Sequence, residues 1–136
     1  MKLNHIHLKI SSLKKSEAFY INILGFKVRE RVGPFLFLHL GEEHHALALQ
    51  ERDDANPVDE NTLGLYHFAL EVQTKKEFQE IMKKLKENNI DYGLIDHVIS
   101  KAIYFSDPDN NGIEIMIDTR KQKDQIWKGK NLPLEN

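Results

Sequence analysis

The sequence predicts an α+β fold built from two βαβββ units. A short strand-like phrase occurs twice, at residues 4–10 and 66–72, and each copy precedes a segment with helical periodicity. Three short apolar segments with strand character then follow each helical segment. A chain of 136 residues with 40% hydrophobic content supports one domain with its own core. The predicted organisation is a single domain over residues 1–118, with units 1–50 and 64–118, a polar linker at 51–63 and a tail at 119–136.

The first unit begins with a strand near residues 2–10, where apolar and polar residues alternate. Ser11 or Ser12 is placed to cap a helix over residues 13–24, and Gly25 follows that segment directly. Turn residues then divide the apolar segments from one another. The three remaining strands of this unit are predicted at 26–32, 35–40 and 46–50.

The second unit repeats this order of elements. A strand at 65–72 is followed by Thr74, a good N-cap for a helix over 75–88. The lysine-rich tail is predicted to form a helical segment that reaches Trp127, which would cover a sheet edge or a partner surface. The three remaining strands of this unit are predicted at 92–95, 102–105 and 113–118.

Composition excludes several classes of protein. The chain has no cysteine, so disulfides, thiolate metal ligands and a cysteine nucleophile are absent, and its seven histidines and its carboxylates are left as ligands. The 19 basic and 21 acidic residues are interspersed, which disfavours nucleic acid as a partner. No apolar run has the length of a membrane span or the form of a signal peptide. We therefore expect a cytoplasmic protein with no membrane contact.

Strand parity brings three potential metal ligands together. His5 and His67 occupy the same position in the two copies of the repeated phrase. In the last strand of the second unit Ile113 and Ile115 belong to the buried set, so Glu114 points to the opposite face and joins the two histidines. Two histidines and one carboxylate form a donor set for a divalent metal with open positions.

The first unit lacks the carboxylate. An alignment of the two units without gaps places Ala48 where Glu114 stands and Leu38 where Tyr104 stands. Parity further predicts an apolar wall of small and aliphatic side chains beside the metal, with room for a flat ring. Its predicted members are Leu36, Leu38, Ala46 and Ala48.

Several phrases together resemble the vicinal oxygen chelate superfamily, which groups glyoxalases, bleomycin-resistance proteins, thiol-transferring fosfomycin-resistance enzymes and extradiol dioxygenases. The resemblance covers nearly the whole chain and implies an open, cup-like mixed sheet around a metal cleft. By this resemblance the metal ligands are His5, His67 and Glu114. The supporting phrases are His5–Ile10, Ala18–Tyr20, Leu24–Phe26, Leu65–Ala69, Ile103–Asp109 and Gly112–Glu114.

Within the superfamily the chain is most similar to catechol 2,3-dioxygenase-like proteins of the glyoxalase family. Three protein ligands that leave open positions suit Fe(II) or Mn(II) as the preferred cofactor, with zinc or nickel as alternatives. The similarity implies catalytic roles for His97 and Tyr104 in proton transfer and substrate anchoring. The preferred function is extradiol ring cleavage of a small catechol-like diol. The phrases that carry this similarity are His5–His7, His44-His45, Gly64–His67 and Asp96–Ser100 ahead of Tyr104.

Other functions remain open at this stage. One is a lactoylglutathione lyase-like isomerase or a thiol transferase acting on a small oxygen-chelating molecule. Another is a non-catalytic protein that binds a drug or metabolite. Three retained ligands favour an enzyme, and Ala48 disfavours the four-ligand glyoxalase site. Small members of the superfamily often dimerise, so the resemblance predicts a homodimer in which His5 comes from the same chain or from its partner.

Overall fold

The computed structural model describes residues 1–134, which form two compact units. Unit 1 comprises Met1–Asp59 with Pro108–Asn110, and unit 2 comprises Glu60–Asp107 with the chain from Asn111 onward. Each unit contains one helix and one mixed sheet, so the predicted α+β class with paired βαβββ units is confirmed. No helix within residues 1–134 is long and apolar enough to cross a membrane.

Unit 1 contains β1 (Ile6–Ile10), α1 (Leu13–Asn22), β2 (Lys27–Val32), β3 (Phe35–His39) and β4 (Leu47–Glu51). Its sheet has the order β1-β4-β3-β2, with β1 parallel to β4 and the other pairs antiparallel. The hydroxyl of Ser12 accepts a hydrogen bond from the Lys15 N–H at 3.3 Å, which starts α1 as predicted. Gly25, with a φ of +74°, turns the chain out of the helix.

Unit 2 contains β5 (Phe68–Glu71), α2 (Lys75–Glu87), β6 (Gly93–Asp96), β7 (Ser100–Ser106), β8 (Gly112–Asp118) and β9 (Leu132–Pro133). Its sheet has the order β5-β8-β7-β6-β9, with β5 parallel to β8. Helix α2 begins with a full capping box, in which Thr74 and Glu77 each accept a hydrogen bond from the other's backbone N–H. Phe78 and Leu85 are the buried residues of this helix.

The central pairing of strands is equivalent in the two units. Ile6 pairs with Leu47 in unit 1, and Phe68 pairs with Ile113 in unit 2. The residue after Leu47 is Ala48, so the structure agrees that Ala48 is the positional equivalent of Glu114. The two units therefore share the same strand register here, and they differ in the side chain, which is a carboxylate at Glu114 and a methyl group at Ala48.

The length of the β3–β4 connection changes one predicted equivalence between residues of the two units. Leu38 pairs with Leu47 across eight intervening residues, whereas Phe105 pairs with Ile113 across seven. A shift of one residue exchanges the faces of a strand, so Phe37, and not the predicted Leu38, is the equivalent of Tyr104. The predicted apolar wall is wrong for Leu36 and Leu38, which are fully buried, because the face shared with Ala48 carries Phe35 and Phe37.

The tail differs from the prediction, because residues 119–134 contain no helix. Ile126 and Trp127 are the only large apolar side chains between residues 119 and 131, too few to form the apolar stripe that stabilises a helix. The tail instead makes turns and adds β9 antiparallel to β6. Positions 135 and 136 of the predicted tail lie outside the described residues.

Candidate functional site

Unit 2 brings His67 and Glu114 into direct contact. Nε2 of His67 lies 2.9 Å from a carboxylate oxygen of Glu114, and the two side chains are 28% and 13% exposed. Nδ1 of His67 is buried and has no hydrogen-bond partner within residues 1–134. Because a carboxylate only accepts hydrogen bonds, Nε2 of His67 carries a ring proton and donates it to Glu114.

Backbone geometry explains why these two side chains meet. His67 immediately precedes β5, and the parallel pairing of β5 with β8 sets Ala69 beside Glu114. Gly112 is the first residue of β8, and a Cβ at this position would overlap the carbonyl oxygen of Tyr66 and lie 3.0 Å from the Cβ of His67. The absence of a side chain at Gly112 therefore permits the close approach of His67.

Tyr104 lies directly opposite Glu114 across the antiparallel pair β7–β8. Its hydroxyl is 2.8 Å from Nε2 of His97, and its ring packs edge-on against His67 with centroids 5.5 Å apart. Burial, the charge of Glu114 and a hydrogen bond to that carboxylate together raise the pKa of Tyr104 to about 12. The phenol therefore stays protonated at neutral pH and remains a hydrogen-bond donor.

A strained turn holds His97 in place. Val98 adopts a φ of +72°, which a β-branched residue rarely occupies. The Val98 N–H donates to the Asp96 carboxylate at 2.7 Å, and the Thr119 hydroxyl donates to the Val98 carbonyl at 3.2 Å. Backbone strain of this kind persists only where surrounding contacts over-determine the conformation, as occurs at functional sites.

The tail adds contacts to His97 that sequence reasoning missed. The side-chain oxygen of Asn131 is 2.6 Å from Nδ1 of His97, and the Trp127 ring meets His97 edge-on with centroids 6.2 Å apart. The Trp127 indole N–H donates to the Lys130 carbonyl at 3.0 Å. Asn131 lies 34 positions from His97, so no local pattern in the sequence connects them. The pairing of β9 with β6 brings the two residues together, and this pairing exists only in the folded chain.

His5 lies in unit 1, just before β1, at the position equivalent to His67. Its ring packs against His45 with centroids 4.3 Å apart, and its Nδ1 is 2.8 Å from the side-chain oxygen of Asn4. Burial and the neighbouring histidines, His5 first among them, lower the pKa of His45. Unit 1 thus sets the imidazole of His45 against its repeated histidine, whereas unit 2 sets a carboxylate and a phenol against His67.

The donor atoms of unit 2 match part of a metal site. Bonds of about 2.1 Å at right angles place two ligand atoms about 3 Å apart, close to the 2.9 Å between His67 and Glu114. One imidazole nitrogen and one carboxylate oxygen suit a borderline divalent cation. Within residues 1–134, however, no group of three or more His, Cys, Asp or Glu side chains is arranged to hold a metal ion. The pair therefore needs a further ligand.

The chain resembles proteins of known activity along most of its length. Catechol-2,3-dioxygenase from Bacillus subtilis (strain 168) is 37% identical over 117 residues, which cover 85% of this chain and 41% of that protein. The chain thus spans about two fifths of the length of this relative. Metallothiol transferase FosB from Staphylococcus epidermidis is 29% identical over 136 residues, which cover 98% of this chain and 93% of that protein.

Comparisons of fold and of family agree with this resemblance. The glyoxylase/bleomycin resistance protein/dioxygenase domain from Frankia sp. EAN1pec superposes with a TM-score of 0.76 at 21% identity, covering 90% of this chain and 95% of that one. A family model, described as the Glyoxalase/Bleomycin resistance protein/Dioxygenase superfamily, matches residues 2–115. Together with the paired βαβββ units, this match shows that the chain belongs to the glyoxalase/bleomycin resistance protein/dioxygenase superfamily.

Proposed function

We propose that this chain is a metal-dependent enzyme that uses dioxygen to open the ring of a catechol-like diol beside its hydroxyl groups. The observation that carries the proposal is one grouping of side chains in unit 2. There, His67 contacts Glu114 at 2.9 Å, and Tyr104, opposite Glu114, contacts His97 at 2.8 Å. A pair of potential metal ligands thus adjoins a pair of proton-transfer groups. Similarity to the Bacillus subtilis dioxygenase supports the choice of substrate class.

The proposed ligands are His67 and Glu114, completed by His5 from the same chain or from the partner in a homodimer. Fe(II) or Mn(II) is the preferred cation, and zinc or nickel are the alternatives. Such a cation, when bound, lowers the pKa of a coordinated hydroxyl and leaves positions for two neighbouring oxygens. In the proposed dimer, variants of His5 would lose metal together with those of His67.

The two remaining residues have separate proposed roles. Tyr104, whose raised pKa keeps its proton in place, turns that proton from His97 or Glu114 to an oxygen of the diol when the diol binds. His97 is the group that takes up a proton from the diol and returns it later in the reaction, because an imidazole can accept a proton and the resulting imidazolium can release it. Its hydrogen bond to Tyr104 keeps it beside the reacting oxygens.

Oxygen uptake by the iron-loaded protein tests the proposal. The chain is purified without oxygen, loaded with Fe(II) and mixed with a panel of catechols in an oxygen electrode. We expect one O2 consumed per diol and a yellow ring-opened product. The matched control is Glu114→Gln protein treated identically, which we expect to consume no oxygen above the rate of free iron. Absence of uptake by the native chain across the whole panel would overturn the proposal.

A thiol transferase is the second candidate, because the similarity to FosB extends over nearly all of both chains. The same metal-loaded protein is incubated with a small thiol and the epoxide fosfomycin. In a transfer reaction the sulfur bonds to an epoxide carbon, the ring C–O bond breaks, and the released oxygen takes the proton. Thiol consumption without oxygen uptake would assign the chain to this second function.

A further inference from the structure

We infer that Asn131 is a positioning residue that holds His97 in the tautomer with its proton on Nδ1. The inference concerns the tail, to which the proposed function assigns no part. The tautomer is inferred from the contact of the Asn131 amide oxygen with Nδ1 of His97, and only its value for proton transfer rests on the proposed function. Three contacts lead to this tautomer, from Asn131 to His97, from His97 to Tyr104, and from Tyr104 to Glu114.

The sheet places Asn131 opposite His97. Strand β9 pairs antiparallel to β6, with Leu132 opposite Asp96 and Pro133 opposite Ile95. Continuing that register by one residue sets Asn131 against His97, and their side chains meet at 2.6 Å. The Trp127 indole and the Lys130 carbonyl close the turn that precedes Asn131. The contact is therefore built by the strand pairing and not by a freely rotating side chain.

The chemistry of the amide oxygen selects the proton position. The atom of Asn131 that faces His97 is its side-chain carbonyl oxygen, which can only accept a hydrogen bond. Nδ1 of His97 must then carry the proton and donate it. In a neutral imidazole the other nitrogen is bare, so Nε2 accepts from the hydroxyl of Tyr104 at 2.8 Å.

This tautomer decides where the proton of Tyr104 points. The hydroxyl has one proton and two acceptors in reach, His97 Nε2 and the Glu114 carboxylate. With Nε2 unprotonated, His97 competes with Glu114 for this proton, and its basic nitrogen lies next to the Tyr104 hydroxyl. If Nε2 carried the proton instead, it would donate to Tyr104, whose own proton would turn to Glu114. His97 would then have no basic site facing the diol.

The nitrogen resonances of His97 test the inference without metal, diol or oxygen. Long-range proton–nitrogen correlation spectra are recorded on the full, ¹⁵N-labelled chain at about pH 8.5, well above the ordinary imidazole pKa of about 6.5. His97→Gln identifies the His97 signals by their loss. In the native chain we expect the Nδ1–H pattern. In Asn131→Ala we expect Nε2–H or a mixture, because Nε2–H is the tautomer that free imidazole side chains favour in water.

Matched variants separate positioning from a general disturbance. Asn131→Asp places only acceptor atoms against His97, so it should restore the Nδ1–H pattern. Lys130→Ala changes the neighbouring side chain and should leave the pattern unaltered, and the signals of the other six histidines report whether the fold is intact. An Nε2–H pattern in the native chain, or no change in a folded Asn131→Ala protein, overturns the inference. Because no turnover is measured, failure of the proposed dioxygenase activity would not affect this result.

Discussion

Within residues 1–134 each unit pairs one histidine with one glutamate, and the two pairs lie in different surroundings. In unit 1 His44 contacts Glu30 at 3.2 Å, with side chains 57% and 52% exposed. In unit 2 His67 contacts Glu114 at 2.9 Å, with side chains 28% and 13% exposed. Water screens the first pair, and exposed pairs of this kind contribute about 0 to 1 kcal/mol. Partial burial and the neighbouring phenol of Tyr104 make the second pair the candidate functional site.

The difference arises at a few equivalent positions on similar backbones. Unit 1 has Ala48 where unit 2 has Glu114, and Phe37 where unit 2 has Tyr104. The residue before β4 is Ala46, whereas Gly112 stands at that place in unit 2 and admits the close approach of His67. One copy of the repeated fold thus carries the candidate site, and it differs from the other copy by a carboxylate, a hydroxyl and the absence of one side chain.

The largest predicted effect distinguishes the carboxylates of the two pairs, Glu114 and Glu30. Glu114→Gln removes the proposed anionic ligand and should weaken Mn(II) or Fe(II) binding by more than about 100-fold, since even outer contacts to metal ligands are worth about 10- to 100-fold. Glu30→Gln removes the exposed carboxylate of unit 1 and should change metal affinity by less than about twofold. Titration calorimetry under anaerobic conditions measures both. Equal losses in the two variants would refute the assignment of the site to unit 2.

The second prediction concerns the close approach beside His67. Gly112→Ala introduces a Cβ that overlaps the Tyr66 carbonyl, so we expect a loss of about 1 to 3 kcal/mol in the free energy of unfolding, together with weaker metal binding. Gly93 is the matched control, because a Cβ there meets no atom within 4 Å and Gly93 has no positive φ. Urea unfolding of both variants measures the difference. A Gly112→Ala protein as stable as Gly93→Ala would show that the approach is not tight.

The third prediction concerns Tyr104, whose equivalent position in unit 1 is occupied by Phe37. Because the pKa of Tyr104 is raised from an ordinary value of about 10 to about 12, the unfolded chain loses this proton at a lower pH than the folded chain. The associated stability is fully present below about pH 10 and is lost as pH rises toward about 12. Tyr104→Phe should therefore show a shallower fall in Tm over this range, measured by thermal melts at successive pH values. Tyr66→Phe, which alters an exposed phenol, should melt like the native chain.

The smallest predicted effect is the difference in stability between losing the N-cap of α1 and losing the N-cap of α2. Thr74→Ala breaks a reciprocal capping box and should cost about 1 to 2 kcal/mol, whereas Ser12→Ala breaks one hydrogen bond of 3.3 Å and should cost about 0.5 to 1 kcal/mol. Urea unfolding reports both. A larger loss for Ser12→Ala would mean that α1 depends on its cap more than α2 does.

Prediction from sequence succeeded where short-range patterns specify structure. Helices α1 and α2 start at the predicted caps, and all eight predicted strands are present with boundaries shifted by a few residues. The equivalence of Ala48 with Glu114 followed from counting residues along repeated strands. The equivalence of Leu38 with Tyr104 failed, because one additional residue between β3 and β4 moved the register and replaced Leu38 with Phe37.

The sequence by itself determined the repeated βαβββ plan, the family and the contrast between Glu114 and Ala48, because periodicity, caps and residue identity are local properties. Tertiary structure alone decided which groups touch. It brought His67 to Glu114 through the β5–β8 register, and it brought Asn131 to His97 across 34 residues through the pairing of β9 with β6. Contacts of this kind depend on strand register and loop length, which no local pattern specifies.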